Sequence, residues 1–197
     1  IRYCLSGLSS ESLAAEFLLQ ETSMEPFVEP APGFVTLTPQ PLSREAFAPF
    51  GDVIETAGRD HFSINDGYAD RFHNLADVDL TEADGKPLLS IFRARPRPRP
   101  LQVDMMERHP MSSQAFIPLS DTPFLVLVAP AGEAPSPENL TLFCTNGCQG
   151  VNFARGVWHF PLLVEKVDQE FLVVDRGGPE QNCDLHYFAD GVRGVIE

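Results

Sequence analysis

The stretch that decides the fold is "LTLFCTNGCQGVNFARGVWHFPLLVEKVDQEFLVVDR", Leu140 to Arg176. Apolar residues come in short bursts rich in Val, Leu and Phe, and each burst ends at Gly, Pro, Asp or Asn-Gly. That is the pattern of short strands cut by tight turns, not the sustained stripe of an amphipathic helix. The same texture runs upstream through "LQVDMMERHP", "SSQAFIPL" and "TPFLVLVAPA". Strands so short and closely spaced predict an all-β fold, an antiparallel sandwich or barrel with a few peripheral helices. One helix is expected in "LSREAFAPFG", capped by Ser43 and stopped by Gly51. Asp66-Gly67 marks a turn. "KPLLSIFRARP" reads as a strand running into "RARPRPRP", Arg93 to Pro100, where alternate prolines forbid helix and central strand and leave an exposed edge or connector.

At 197 residues the chain has room for one self-sufficient core. Residues 34–197 read as that domain. Residues 1–33 read as an N-terminal extension, non-native or flexible, with a short amphipathic helix in "SSESLAAEFLLQ" followed by a proline-containing linker. The early residues lack the basic and apolar blocks of a signal peptide, so a cytoplasmic protein is expected. A formal charge of −14 argues against nucleic acid, which needs a basic face. No apolar run reaches membrane-spanning length. Any anionic ligand must therefore be met by local arginines or a metal. Cys144 and Cys148 flank Asn146-Gly147 at a spacing wrong for a zinc knuckle, and read as reduced cysteines on either side of a hairpin.

The residues richest in chemistry lie around "ERHPMSSQAFIPL". In an extended chain Glu107 and His109 face one way, because side chains alternate with period two. Gln114 follows after a turn, on the expected return strand, and "RGVWH" delivers His159 from farther along. Two polar groups from one strand, one from its hairpin partner and one from a distant strand would build a site in a barrel mouth. Imidazole and carboxylate together suit hard or borderline divalent ions. Glu107, His109, Gln114 and His159 are therefore the candidate metal set, with the ion's identity open and no organic cofactor expected. Glu107 or His109 is the candidate base, and His159 belongs to the same catalytic group. Arg155 and Arg71 are candidates for gripping a substrate carboxylate. His73 shares a face with Arg71, and Lys166 is a candidate acid. Asp175-Arg176 reads as an internal ion pair.

Glu107-x-His109-x4-Gln114 and Gly156-Val157-Trp158-His159 are similar to the two metal-binding motifs of cupin barrels. The blocks "LSREAFAPFGDVIET", "RFHNLADVD", "ERHPMSSQAFIPL", "TNGCQGVNFARGVWHFPL" and "FLVVDRGGPEQNCD" resemble, in the same order, the ureidoglycolate lyase family. That resemblance implies a cupin-like antiparallel β-barrel of the double-stranded β-helix or jelly-roll type. It also implies a homodimer and a lyase that cleaves ureidoglycolate to glyoxylate and urea in allantoin breakdown. The chain departs from the family at Ala154 and Phe160, where histidines are typical. Those departures keep two alternatives open: a cupin enzyme acting on another small hydroxy acid, and a non-catalytic module that binds a small carboxylate.

Overall fold

A computed structural model describes residues 34–188 and 193–196. The proposed extension over residues 1–33 lies outside the described residues. In chain order the strands open with β1 (Phe34–Thr36), β2 (Gln40–Pro41), β3 (Gly51–Ile54), β4 (Phe62–Ile64), β5 (Ala69–Arg71) and β6 (Lys86–Ala94). They continue with β7 (Leu101–Val103), β8 (Met105–Arg108), β9 (Gln114–Pro118), β10 (Phe124–Ala129), β11 (Thr141–Cys144) and β12 (Gly150–Phe153). The last are β13 (Trp158–His159), β14 (Leu163–Val164), β15 (Gln169–Gly177), β16 (Asp184–Tyr187) and β17 (Arg193–Ile196). Between β2 and β3 lies a helix, α1 (Arg44–Phe47), capped by Ser43, whose side chain accepts a hydrogen bond from the Ala46 N–H. The all-β reading holds.

The ladders form two principal sheets. One runs β16-β8-β13-β10-β11-β2, with β14 also paired to β10, and the other runs β3-β12-β9-β15-β6. Short β1, β17 and β7 make a third sheet, and β4 with β5 makes a separate hairpin. Strand β10 explains the arrangement. Its six residues, FLVLVA, are all buried, because both faces of its sheet are covered. Phe124, Val126 and Val128 enter a core shared with Phe116, Val151, Phe153, Phe171 and Val173 of the facing sheet. Leu125, Leu127 and Ala129 point the other way, into a second core with Val103, Met106 and Trp158. Phe47 carries α1 into the first core and is fully buried, a contribution of roughly 1.5–3 kcal/mol for such a side chain.

Two expected hairpins turn out to be crossovers. Strand β11 pairs with β10 while β12 pairs with β3 and β9, so Asn146-Gly147 carries the chain from one sheet to the other. Gly147 has φ +88, and a Cβ there would meet Asp121 O at 2.3 Å, so the crossing is held too tightly for any side chain. Cys144 is free, as expected, and buried, whereas Cys148 is disulfide-bonded, contrary to the reduced reading. Likewise β8 pairs with β13 and β16, but β9 pairs with β12 and β15. Gln114 is therefore not on a return strand beside Glu107. It faces Glu107's sheet from the opposite one.

Candidate active site

The site forms where the chain crosses between the sheets at two places, residues 109–113 and 154–157. A backbone hydrogen bond from Gly156 N to His109 O, 3.0 Å, ties the two crossings together. Gly156 makes that turn at φ +75, a region that L side chains rarely adopt. On either side of the crossings, strand alternation sorts the side chains. Met106 and Trp158 enter the outer core, while Glu107 and His159, paired in register across β8 and β13, point inward. Trp158 is thus packing, donating its indole N–H to Glu133 O at 2.9 Å with Arg108 over its ring. His159, its neighbour, belongs to the cavity.

His159 is almost completely buried and stacks on Phe153 of the facing sheet, with ring centroids 4.3 Å apart and planes inclined by 11°. Its Nδ1 lies 3.0 Å from Val157 O, which fixes that nitrogen as the N–H donor. Its Nε2 is then a lone pair, buried and, among the described residues, without a hydrogen-bond partner, 3.6 Å from Glu107 Oε1. Burial pushes the ring's pKa down, only partly offset by Glu107, so the imidazole is held neutral. Burial works to raise the Glu107 carboxyl, while contact with an imidazole that carries a proton, together with the Arg97 guanidinium, brings it below its usual range. Two acceptors face each other here, a carboxylate and an imine nitrogen, and what such a pair lacks is a cation or a donor hydrogen.

His109 completes the cluster. Its Nδ1 is 2.6 Å from Asn182 O, its Nε2 is 3.1 Å from Gln114 Oε1, and its ring centroid is 5.1 Å from that of His159. Asn182 also accepts from Met111 N through Oδ1 and donates to Ser112 through Nδ2, both at 2.8 Å, and so clamps the crossing. One ligand atom from each of Glu107, His109 and His159 lies within 4.8 Å of the others. Two imidazoles, one carboxylate and an unpartnered buried lone pair fit a divalent ion. Behind them, burial raises the Asp175 carboxyl, which faces the Gln114 amide and His109. The expected Asp175–Arg176 pair does not form, because adjacent strand residues point to opposite sides. Arg176 turns to the carbonyls of Glu82 and Ala83 and to Glu180.

These groups open into a cavity of about 380 Å³ between the sheets, lined by Glu107, Gln114 and His159 together with Phe116, Phe153 and Phe160. The other expected site residues stand elsewhere. Arg155 is held by Asp79 at 2.7 Å and Glu82 at 3.1 Å. Arg71 lies over Phe62 and His73 packs near the same ring on the β4–β5 hairpin. Lys166 is in an exposed turn. None of the four lines the cavity. Of the two family departures, Phe160 lines it and Ala154 does not. Asn182 and Arg97 were not singled out from the sequence, and Asp175 was read there only as half of an ion pair. Of the first two, only Arg97 carried a signal there, as part of the Arg-Pro run.

A family model described as ureidoglycolate lyase matches residues 34–194. Among curated relatives, a ureidoglycolate lyase from Pseudomonas syringae pv. tomato is 56% identical over 162 residues, 82% of this chain and 95% of the relative. One from Pseudomonas savastanoi pv. phaseolicola is 58% identical over 158 residues, 80% of this chain and 93% of the relative. One from Azotobacter vinelandii is 53% identical over 154 residues, 78% and 93% of the respective chains.

Proposed function

This chain belongs to the ureidoglycolate lyase family, and from that premise we propose that its cavity cleaves ureidoglycolate to glyoxylate and urea. The observation that carries the reading is the His159 Nε2, unpartnered among the described residues, facing the Glu107 carboxylate in the cavity between the sheets. In ureidoglycolate one carbon bears a hydroxyl, a carboxylate and the ureido nitrogen. Cleavage removes the hydroxyl proton, forms the carbonyl of glyoxylate and expels the nitrogen, which must gain a proton to leave as urea.

Glu107 serves both ends of that transfer. Its carboxylate takes the proton from the hydroxyl and returns it to the departing nitrogen, so the proton count closes on one residue. This scheme needs no second acid, and Lys166 stays at the surface. His159, fixed by Val157, and His109, fixed by Asn182, hold the other side of the reacting carbon. The phenyl rings of Phe116, Phe153 and Phe160 exclude water, which strengthens each polar contact. Glu107, His109 and His159 would hold a divalent ion, with Gln114 beside it. Such an ion would supply Lewis acidity that lowers the hydroxyl's pKa.

The wider setting is part of the proposal: a homodimer in the cytoplasm, working in allantoin and purine breakdown. The homodimer is supported by edge strand β6, whose Leu89 and Ile91 are exposed beside the cavity. Light scattering tests it, and a monomer at working concentration overturns it. For the activity, purified protein is incubated with ureidoglycolate with and without added divalent metal, and glyoxylate is measured. Release of glyoxylate is expected. None under either condition overturns the lyase reading.

A further inference from the structure

A substrate carboxylate entering this cavity meets a floor that already carries the Glu107 carboxylate. A cation must stand at the other end, and neither Arg71 nor Arg155 reaches it. The Arg-Pro run passes along the rim and contributes Arg93, Arg95 and Arg97 to the lining. Most of its arginines are already spent on acids. Arg93 donates to Glu170 from two nitrogens at 2.9 and 2.7 Å, Arg95 is 3.6 Å from Asp168, and Arg99 is paired with Glu165. Arg97 is different. Among the described residues no carboxylate or carbonyl engages its guanidinium. It lies over the ring of Phe160, 4.9 Å from the centroid, and is near enough to act electrostatically on Glu107.

We infer that Arg97 binds the carboxylate of the substrate, with Phe160 as the shelf that holds its guanidinium flat. The inference rests on the lyase reading and extends it to the substrate's second anionic group. A guanidinium stacked on an aromatic face keeps its N–H edges free, and those edges match a carboxylate in a two-pronged grip. Pro96 and Pro98 on either side restrict the backbone, so less freedom is lost when the grip closes. Pairing the neighbouring arginines with acids leaves the uncompensated positive charge of the rim at Arg97. The phenyl at position 160, where the family typically has histidine, supplies the face on which that charge rests. The cavity would accordingly select small acids bearing a carboxylate next to the reacting carbon over their neutral amides.

The test compares Arg97→Gln and Arg97→Lys with the unaltered protein. NMR titration measures binding of glycolate and of neutral glycolamide, and steady-state assays measure ureidoglycolate cleavage. Arg97→Gln is expected to weaken glycolate binding and raise KM roughly 10- to 100-fold, the loss of one charge-assisted hydrogen-bonded pair. Glycolamide binding stays within about twofold, kcat changes little, and lysine recovers part of the loss. Phe160→Leu, with folding checked by circular dichroism, moves KM the same way by a smaller factor. Unchanged glycolate binding in Arg97→Gln, or equal losses for acid and amide, overturns the inference and leaves the lyase reading standing. An unaltered protein that binds glycolate through Arg97 but never releases glyoxylate overturns the lyase reading and supports the anchor.

Discussion

Among the segments of this protein that pair a charged residue with a histidine two positions on are Glu107-x-His109 and Arg71-x-His73. Both are extended, and in both the alternation of side chains puts the pair on one face. The first lies at the end of β8, between two sheets, and meets His159 and Gln114 there. The second lies at the end of a two-stranded hairpin with exposed side chains, where Arg71 and His73 meet the ring of Phe62. Equal spacing has produced a site in one place and a surface in the other. Spacing fixes which way a side chain points, and only the packing beyond it fixes what it points at.

The largest effect that would break the comparison is on activity. Glu107→Gln keeps the shape of the floor and removes the base proposed for it, and is expected to lower glyoxylate release by about 10²- to 10⁴-fold. Loss of less than about tenfold in a glyoxylate assay would return Glu107 to the status of an ordinary buried acid.

Next comes pH. His159 is held neutral by burial, so the unfolded chain binds a proton there more readily than the folded one. Its share of stability is complete above the ordinary histidine value near ~6.5 and is lost as pH falls from there toward the lower folded value. The slope for one such proton is at most about 1.4 kcal/mol per pH unit. Denaturant unfolding between pH 7 and pH 5 should show this slope, and His159→Gln should remove it. An identical slope in the variant would mean that another group sets the acid limit.

A smaller effect tests the knot between the crossings. Gly156→Ala forces a side chain into φ +75 and should cost about 1 kcal/mol in unfolding free energy. Because Gly156 N holds His109 O, any affinity of the Glu107–His109–His159 cluster for a divalent ion should fall along with stability. A stability loss with unchanged metal affinity would separate the turn from the site. The smallest effect belongs to the hairpin. Arg71→Ala removes one exposed contact with Phe62 and should change stability by less than about 1 kcal/mol. A larger loss would show that the hairpin is packed more firmly than its exposure indicates.

Much of this was legible beforehand. Bursts of β-branched and aromatic residues between turn formers are a local property, and they announced the strands correctly. Ser43 marked the start of the helix, which ends at Phe47 rather than at Gly51, the first residue of β3, and the alternation in "VWHF" and "MERH" set His159, Glu107 and His109 apart from Trp158 and Met106. What the sequence by itself determined was therefore the strand content and the facing of single residues, because both follow from backbone geometry over two or three positions. Tertiary structure alone decided the partners. Asn146-Gly147 looked like a hairpin and is a crossover, where β12 buries Val151 and Phe153 between the sheets and pairs with β3 and β9. Gln114 came from the opposite sheet, Asn182 from a distant loop, and Arg97 among the described residues meets no acid while its neighbours are claimed by acids. Such choices depend on which surfaces a whole core brings together, and no local window of sequence contains them.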